Sequence, residues 1–310
     1  MHLRVISPAE TTEQVLSYLV AEPAVANLVV HRGAAVDPAG DVVIADVARE
    51  SANEVLRELK AMGLDRNGSI ALDAVGVALS SRGSEAEKAA PGAGDDAVVW
   101  EEIEQRTGEE SRLSVTFLLF LSIATVIAGI GVLLDQPILI VGAMVVGPEF
   151  GPLAALSVGV IRRRPRVIGR SLLALTVGFA VAIVVTVLST LALNAGGLVT
   201  REMLLGARPL TDFIWRPDAL SWVIAFLAGI AGILSLTTAK SGALIGVLIS
   251  VTTVPAAGNV AVAIAYGVPD EAWGSALQLG INLGAIATAG ILTLAVQRWL
   301  SRRRRPAARA

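Results

Sequence analysis

The chain has 310 residues, 54% of them hydrophobic and only 17% charged, with a mean hydropathy of +0.67, a balance that points to a polytopic membrane protein rather than a soluble domain. It has no cysteine, which excludes disulfides, thiolate metal sites and cysteine nucleophiles, and its two histidines, His2 and His31, leave little for a histidine-based active site. The net charge of −2 hides a split: residues 1–112 carry 10 Lys/Arg against 20 Asp/Glu, whereas residues 113–310 carry 15 against 7.

An acidic α/β segment comes first. LRVIS (3–7) predicts a strand and TTEQVLSYLVAE a helix with Val15, Leu16 and Leu19 on one face. VANLVVHRG and DVVIADVA predict two strands joined by a turn rich in Gly, Pro and Asp. SANEVLRELKAMGL predicts a helix opened by a capping box at Ser51 and Glu54, and GSIALDAVGVALS a closing strand or strand pair. The order βαββαβ is the split-βαβ, ferredoxin-like arrangement, expected over residues 1–80. SRGSEAEKAAPGAGDD has the composition of a flexible linker, and AVVWEEIEQRTGEESRL that of an acidic helix leading to the membrane, together filling 81–112. The start, MHLRVISPAETTEQ, lacks a basic region followed by an apolar one, so no cleaved signal is expected and this part is placed in the cytoplasm.

Six apolar spans are expected over 113–297, at roughly 113–134, 137–160, 167–193, 219–238, 242–267 and 275–297. With the N-terminal part inside, the inner side receives Arg162, Arg163, Arg164, Arg166, Arg170, Lys240, Arg298, Arg302, Arg303, Arg304, Arg305 and Arg309, and the outer side only Arg201, Arg208 and Arg216. Both termini are therefore expected in the cytoplasm, with 298–310 as a basic tail. The RRRPR and RWLSRRRRP runs fit anionic lipid headgroups rather than nucleic acid.

The first three spans resemble the last three. AGIGVLL (128–134) pairs with AGIAGIL (228–234), PEFGPLA (148–154) with PAAGNVA (255–261), and SLLALTVGFA (171–180) with SALQLGINLGA (275–285). An odd number of spans per unit makes this an inverted 3+3 repeat, a plan that places substrate sites near the midplane. Proline removes a backbone donor and collides with the preceding turn, so Pro148 to Gly151 and Pro255 to Gly258 are expected to break the second and fifth helices around a shared cavity.

The run IAGIGVLLDQPILIVGAMVVGPEFGPLAAL, with the later GALIGVLISVTTVP and LGINLGAI, resembles a bacterial hydrophobic-domain membrane family, one of the domain-of-unknown-function families, over about residues 95–297. Its G-A-M…P…G-P signature falls here on Gly142, Ala143, Met144, Pro148, Gly151 and Pro152. Members often carry two adjacent prolines in the fifth span; Pro255 is followed here by Ala256, which implies a milder second break. The resemblance implies an inner-membrane protein and no established activity.

Glu149 is the one acidic residue well inside a span, where a charge is costly and faces either a cavity or a packing partner. Asn259, in the second break, could contact a solute or cap the helix. Gln278 and Asn282 share one face of span six, as pore lining or as interhelical glue. Thr252 and Thr253 are expected to bond backbone carbonyls freed by Pro255, Lys240 and Asp135 to mark the inner and outer faces, and glycines 129, 131, 142, 147 and 151 to be close-packing positions. No P-loop, H-E-x-x-H, G-x-S-x-G or Rossmann fingerprint is present, so no enzyme, cofactor or metal is expected. The leading expectation is a transporter or channel for a small ion or polar solute, binding at Glu149, Pro148, Gly151, Pro152, Pro255, Gly258, Asn259, Asn282 and Gln278. A homo-oligomer in the lipid bilayer is expected. The alternative is a non-transporting sensor or scaffold whose cytoplasmic domain binds a ligand or partner.

Overall fold

The computed structural model describes residues 1–75, 79–90, 98–238 and 252–303, in two compact units, Met1–Glu102 and Ile103–Arg298, with the chain after Arg298 assigned to the first.

The first unit is a four-stranded antiparallel sheet of β1 (His2–Ser7), β2 (Val25–Val36), β3 (Ala39–Val47) and β4 (Ser69–Asp73), in the order β2-β3-β1-β4. Alternation selects the inner face: Leu3 and Val5 of β1 and Val43 and Val47 of β3 are buried, against Val15 and Leu19 of α1 (Ala9–Ala21) and Val55 and Leu59 of α2 (Ala52–Ala61). A one-turn helix, α3 (Leu64–Asn67), leads into β4.

Two local expectations fail. Ser51 ends a 3-10 turn and makes no side-chain cap, while Glu54 pairs with Arg57, so the capping box does not form. The predicted linker contains a helix, α4 (Ser81–Ala89), because the Ser80 hydroxyl accepts the Gly83 N–H and starts one. Residues 91–97 of that linker, and 76–78 of the closing strand pair, lie outside the described residues. The acidic helix is α5 (Trp100–Glu110), whose Glu104 pairs with Arg162 at 2.5 Å and with Arg164 at 3.8 Å.

The second unit is helical. It comprises α6 (Val115–Leu133), α7 (Pro137–Val146), α8 (Phe150–Arg162), α9 (Pro165–Ala195), the short α10 (Arg201–Leu205), α11 (Ala219–Thr237), α12 (Thr253–Ala265) and α13 (Pro269–Arg303). Among the described residues, α6, α9, α11 and α13 are long and apolar enough to cross a membrane, and α7 with α8 makes a fifth candidate bent by 50°. Of the predicted span 242–267 only the 13-residue α12 is described, so six spans become four continuous and one bent among the described residues.

The turns reuse one device. Asp135, Arg163 and Gly267 take left-handed φ values of 50°, 56° and 66°. The next residue donates back five positions at 2.8 Å each time (Gln136 to Gly131, Arg164 to Gly159, Val268 to Ala263), and a proline then opens the following helix.

Helix lengths and caps recur as well. Both α6 and α11 have 19 residues, and each is capped by the residue before it: Ser114 accepts from Phe117 N–H, and Asp218, 104 positions further on, from Ser221 N–H. Both α8 and α12 have 13 residues with proline third, at Pro152 and Pro255. The helix starts therefore match Pro255 to Pro152 and not to Pro148, a shift of one helical turn from the pairing by letters.

Of the two proline sites, Pro148 breaks its helix as expected and Pro255 does not. Pro148 pushes the residue before it out of the helical region, and Gly147, at φ −64° and ψ 128°, ends α7. Pro255 and Gly258 instead lie within one continuous helix, Pro255 in its first turn, where its missing N–H would have had no intrahelical partner. The chain leading to Thr252 lies outside the described residues.

α12 is the most enclosed helix of the unit, buried from Thr253 to Ala263 and packed by α6, α7 and α9. Its contact with α6 is backbone to backbone. A Cβ on Gly258 would stand 2.8 Å from Gly129 N and 3.0 Å from the Thr125 carbonyl. By contrast Gly142, expected to pack closely, faces open space. Gly258→Ala should lower stability by about 1–3 kcal/mol, and Gly280→Ala, whose added methyl meets nothing within 4 Å, should not; thermal unfolding of the detergent-solubilised protein measures both.

Candidate functional site

The break between α7 and α8 spans Gly147, Pro148 and Glu149, and Glu149 is the first residue to regain helical geometry, at φ −69° and ψ −20°. Its side chain does not cap α8. It turns instead to α12, where Oε1 accepts the hydroxyl of Thr253 at 2.6 Å. Glu149 is only 5% exposed, and its second oxygen, Oε2, has no partner. Gly147 makes this possible, because a Cβ there would collide with the Glu149 carboxyl and stand 2.7 Å from Val254. Gly151 and Pro152 are buried in the first turn of α8, where they shape the helix start.

The neighbouring Thr252 faces α13. Its hydroxyl oxygen accepts Asn282 Nδ2 at 2.9 Å and, more weakly, Gln278 Nε2 at 3.4 Å. Both threonines thus bond side chains, against the expectation that they bond backbone carbonyls. Gln278 Oε1 remains without a partner, and both amides are about 1% exposed.

Asn259 stands six residues beyond Thr253, about 9 Å along the helix, so it is not part of the break. Its Nδ2 donates to Ser275 Oγ at 2.7 Å and to Glu271 Oε1 at 3.0 Å. Glu271 Oε1 also receives the Arg208 guanidinium at 2.5 Å, in a pair whose two side chains are 6% and 4% exposed. Arg208 belongs to the segment between α10 and α11, which Asp135 also holds through Thr211 Oγ1 at 2.9 Å. Asp135 is the turn residue expected, with this added partner.

The sequence singled out Glu149, Gln278, Asn282 and Asn259, and the structure brings all four to one buried polar line on α12. It does not place Pro255 or Gly258 there as ligands, since Pro255 starts the helix and Gly258 packs on α6. Arg208, Glu271 and Ser275 were missed. Their signal was present: Glu271, Ser275, Gln278 and Asn282 recur at spacings of four, three and four, which puts them on one face of α13. Among the described residues no cluster of His, Cys, Asp or Glu could hold a metal ion through three such ligands.

This line lies within a segment that matches a family model. Residues 144–288 match the family model described as Domain of unknown function (DUF389). The match opens at Met144, just before the break, and closes beyond Asn282. An uncharacterised protein of Methanocaldococcus jannaschii is 26% identical over 207 residues, 65% of this chain and 62% of the relative, so the chain spans about three-fifths of that relative's length. No solved structure matches the chain.

Removing one partner of a buried ion pair strands the other charge, which costs more than replacing both by apolar groups. Glu271→Ala should therefore destabilise the protein by about 3–5 kcal/mol. The double substitution Arg208→Met with Glu271→Met should recover most of that loss in chemical denaturation of the solubilised protein.

Proposed function

We propose that this chain is a membrane transporter or channel for a small ion or polar solute, whose site is the break at Glu149 facing the first turn of α12. The observation that carries the reading is the Glu149 carboxyl, buried in the middle of an apolar helix pair with one oxygen lacking a donor. A charge held at that depth is costly, and a packing role alone is filled by Thr253 at one oxygen.

The recurrence of lengths, caps and prolines between α6 and α11 and between α8 and α12 supports a six-span bundle of two three-span halves. Three spans per half give the halves opposite orientation, an inverted repeat in which the two half-helix starts meet near the midplane. The contact of Glu149 with Thr253, each at the start of its own 13-residue helix, supports that meeting. The twelve basic residues of the inner loops support an inner-membrane placement with both termini in the cytoplasm. The strand order β2-β3-β1-β4 supports a ferredoxin-like reading of the N-terminal unit, as a regulatory or assembly module.

Reconstituted in liposomes, the protein should conduct or take up ions or small polar solutes, and Glu149→Gln and Pro148→Ala should each cut the flux by about tenfold or more. The chain has no native cysteine, so Glu149→Cys gives a single reporter that a water-soluble thiol reagent should label. Folded protein that moves nothing across a broad panel, with position 149 closed to the reagent, would sink the proposal.

A further inference from the structure

We infer that the Glu149 break is a binding site for a dehydrated alkali cation, an inference that rests on the transport reading for its role and names the class of ion that reading would carry.

The argument begins with what the break leaves unsatisfied. Pro148 has no N–H, so the Met144 carbonyl four residues back gains no helical partner, and the Val145 and Val146 carbonyls also belong to the last turn of α7. Among the described residues no backbone N–H closes on any of these three oxygens; the last bond of α7 runs from Gly147 N to Ala143 O at 3.1 Å. The carbonyl end of a helix is its negative end. Beside it stands Glu149, 5% exposed, with Oε2 unpartnered and no Lys or Arg paired to it among the described residues. Carbonyl oxygens, a hydroxyl and a carboxylate oxygen are hard ligands, suited to alkali and alkaline-earth ions rather than transition metals.

Charge then selects within that class. The other buried charges of the polar line, Arg208 and Glu271, neutralise each other at 2.5 Å. Among the described residues a single carboxylate is left against neutral oxygens, which balances one positive charge and not two. An anion is disfavoured because it would face the Glu149 carboxylate itself: Gln278 Oε1 and Asn259 Oδ1 are further open acceptors, and the open donors, Arg208 Nε and Nη1, belong to the ion pair with Glu271. The orientation of the Asn259 amide follows from its partner, since the Glu271 carboxylate takes the Nδ2 hydrogen and leaves Oδ1 without a donor.

The test uses the full chain in detergent at fixed pH and ionic strength, with NaCl, KCl or LiCl replacing choline chloride. At least one alkali ion should raise the melting temperature saturably, by about 5 °C at a hundredfold excess over its Kd. Glu149→Gln should abolish the response and Glu149→Asp should keep it at weaker affinity. Because either substitution could disturb folding, binding of radioactive sodium to the wild-type protein, competed by alkali ions and not by choline, gives a second readout.

Equal melting temperatures in alkali and choline salts without competed sodium binding would overturn the inference. So would a response that follows the anion when gluconate replaces chloride, or one that follows pH alone, the mark of a proton site. The two readings fail separately. Cation binding without any flux keeps this site and sinks the transport reading; flux of anions or neutral solutes without cation binding sinks this site and keeps that reading.

Discussion

A backbone carbonyl or N–H that loses its helical partner in hydrocarbon has no water to turn to, and that constraint orders the helical unit of this protein. The chain breaks one apolar helix at Gly147 and Pro148 and starts another at Thr253. The half-helices that follow, α8 and α12, are mostly buried. Nine of the thirteen residues of α8 and eleven of the thirteen of α12 are buried, whereas the long helices α9, α11 and α13 bury only about a third of their apolar stretches. The half-helices α8 and α12 thus lie inside, with α9, α11 and α13 more exposed around them. Gly129 against Gly258 shows how close that wrapping comes, with backbone on backbone.

Helices that match in their start differ in their chemistry. α9 and α13 both begin with proline, at Pro165 and Pro269, yet where α13 carries Glu271, Gln278 and Asn282, the positions 104 residues earlier are Val167, Ala174 and Gly178. Only Ser171 keeps its counterpart, Ser275, and both are buried. The polar line is therefore one-sided. It is built on α12 and α13 and meets the other side at a single carboxylate, Glu149, through a hydroxyl at 2.6 Å. A packing contact common to both sides would be expected on both; the one-sidedness separates polar chemistry from architecture.

Most of the architecture was legible in the sequence because its signals are local. Apolar length marked α6, α9, α11 and α13, strand alternation marked the sheet, and Pro148 marked the break through the residue it displaces, Gly147. The mistakes have local causes too. Residues 81–89 were read as linker because a helix of SRGSEAEKA has no apolar face to announce it. Matching AGIGVLL to AGIAGIL, and Pro148 to Pro255, gives offsets of 100 and 107 residues, whereas the helix starts recur 104 and 103 residues apart. Helices rich in Ala and Gly resemble themselves after one turn, so letters alone do not fix a register, and the caps at Ser114 and Asp218 stand 104 residues apart.

By itself the sequence determined which segments are apolar enough to span a bilayer, where one of them must break, and that a carboxylate stands at the break, since each follows from residue type and spacing along the chain. Which groups meet that carboxylate was decided only in three dimensions. Thr253 lies 104 residues away from Glu149, and Arg208 lies 63 from Glu271. Burial makes each of these polar atoms take whatever partner the packing of α8, α12 and α13 provides, and no local pattern encodes that choice.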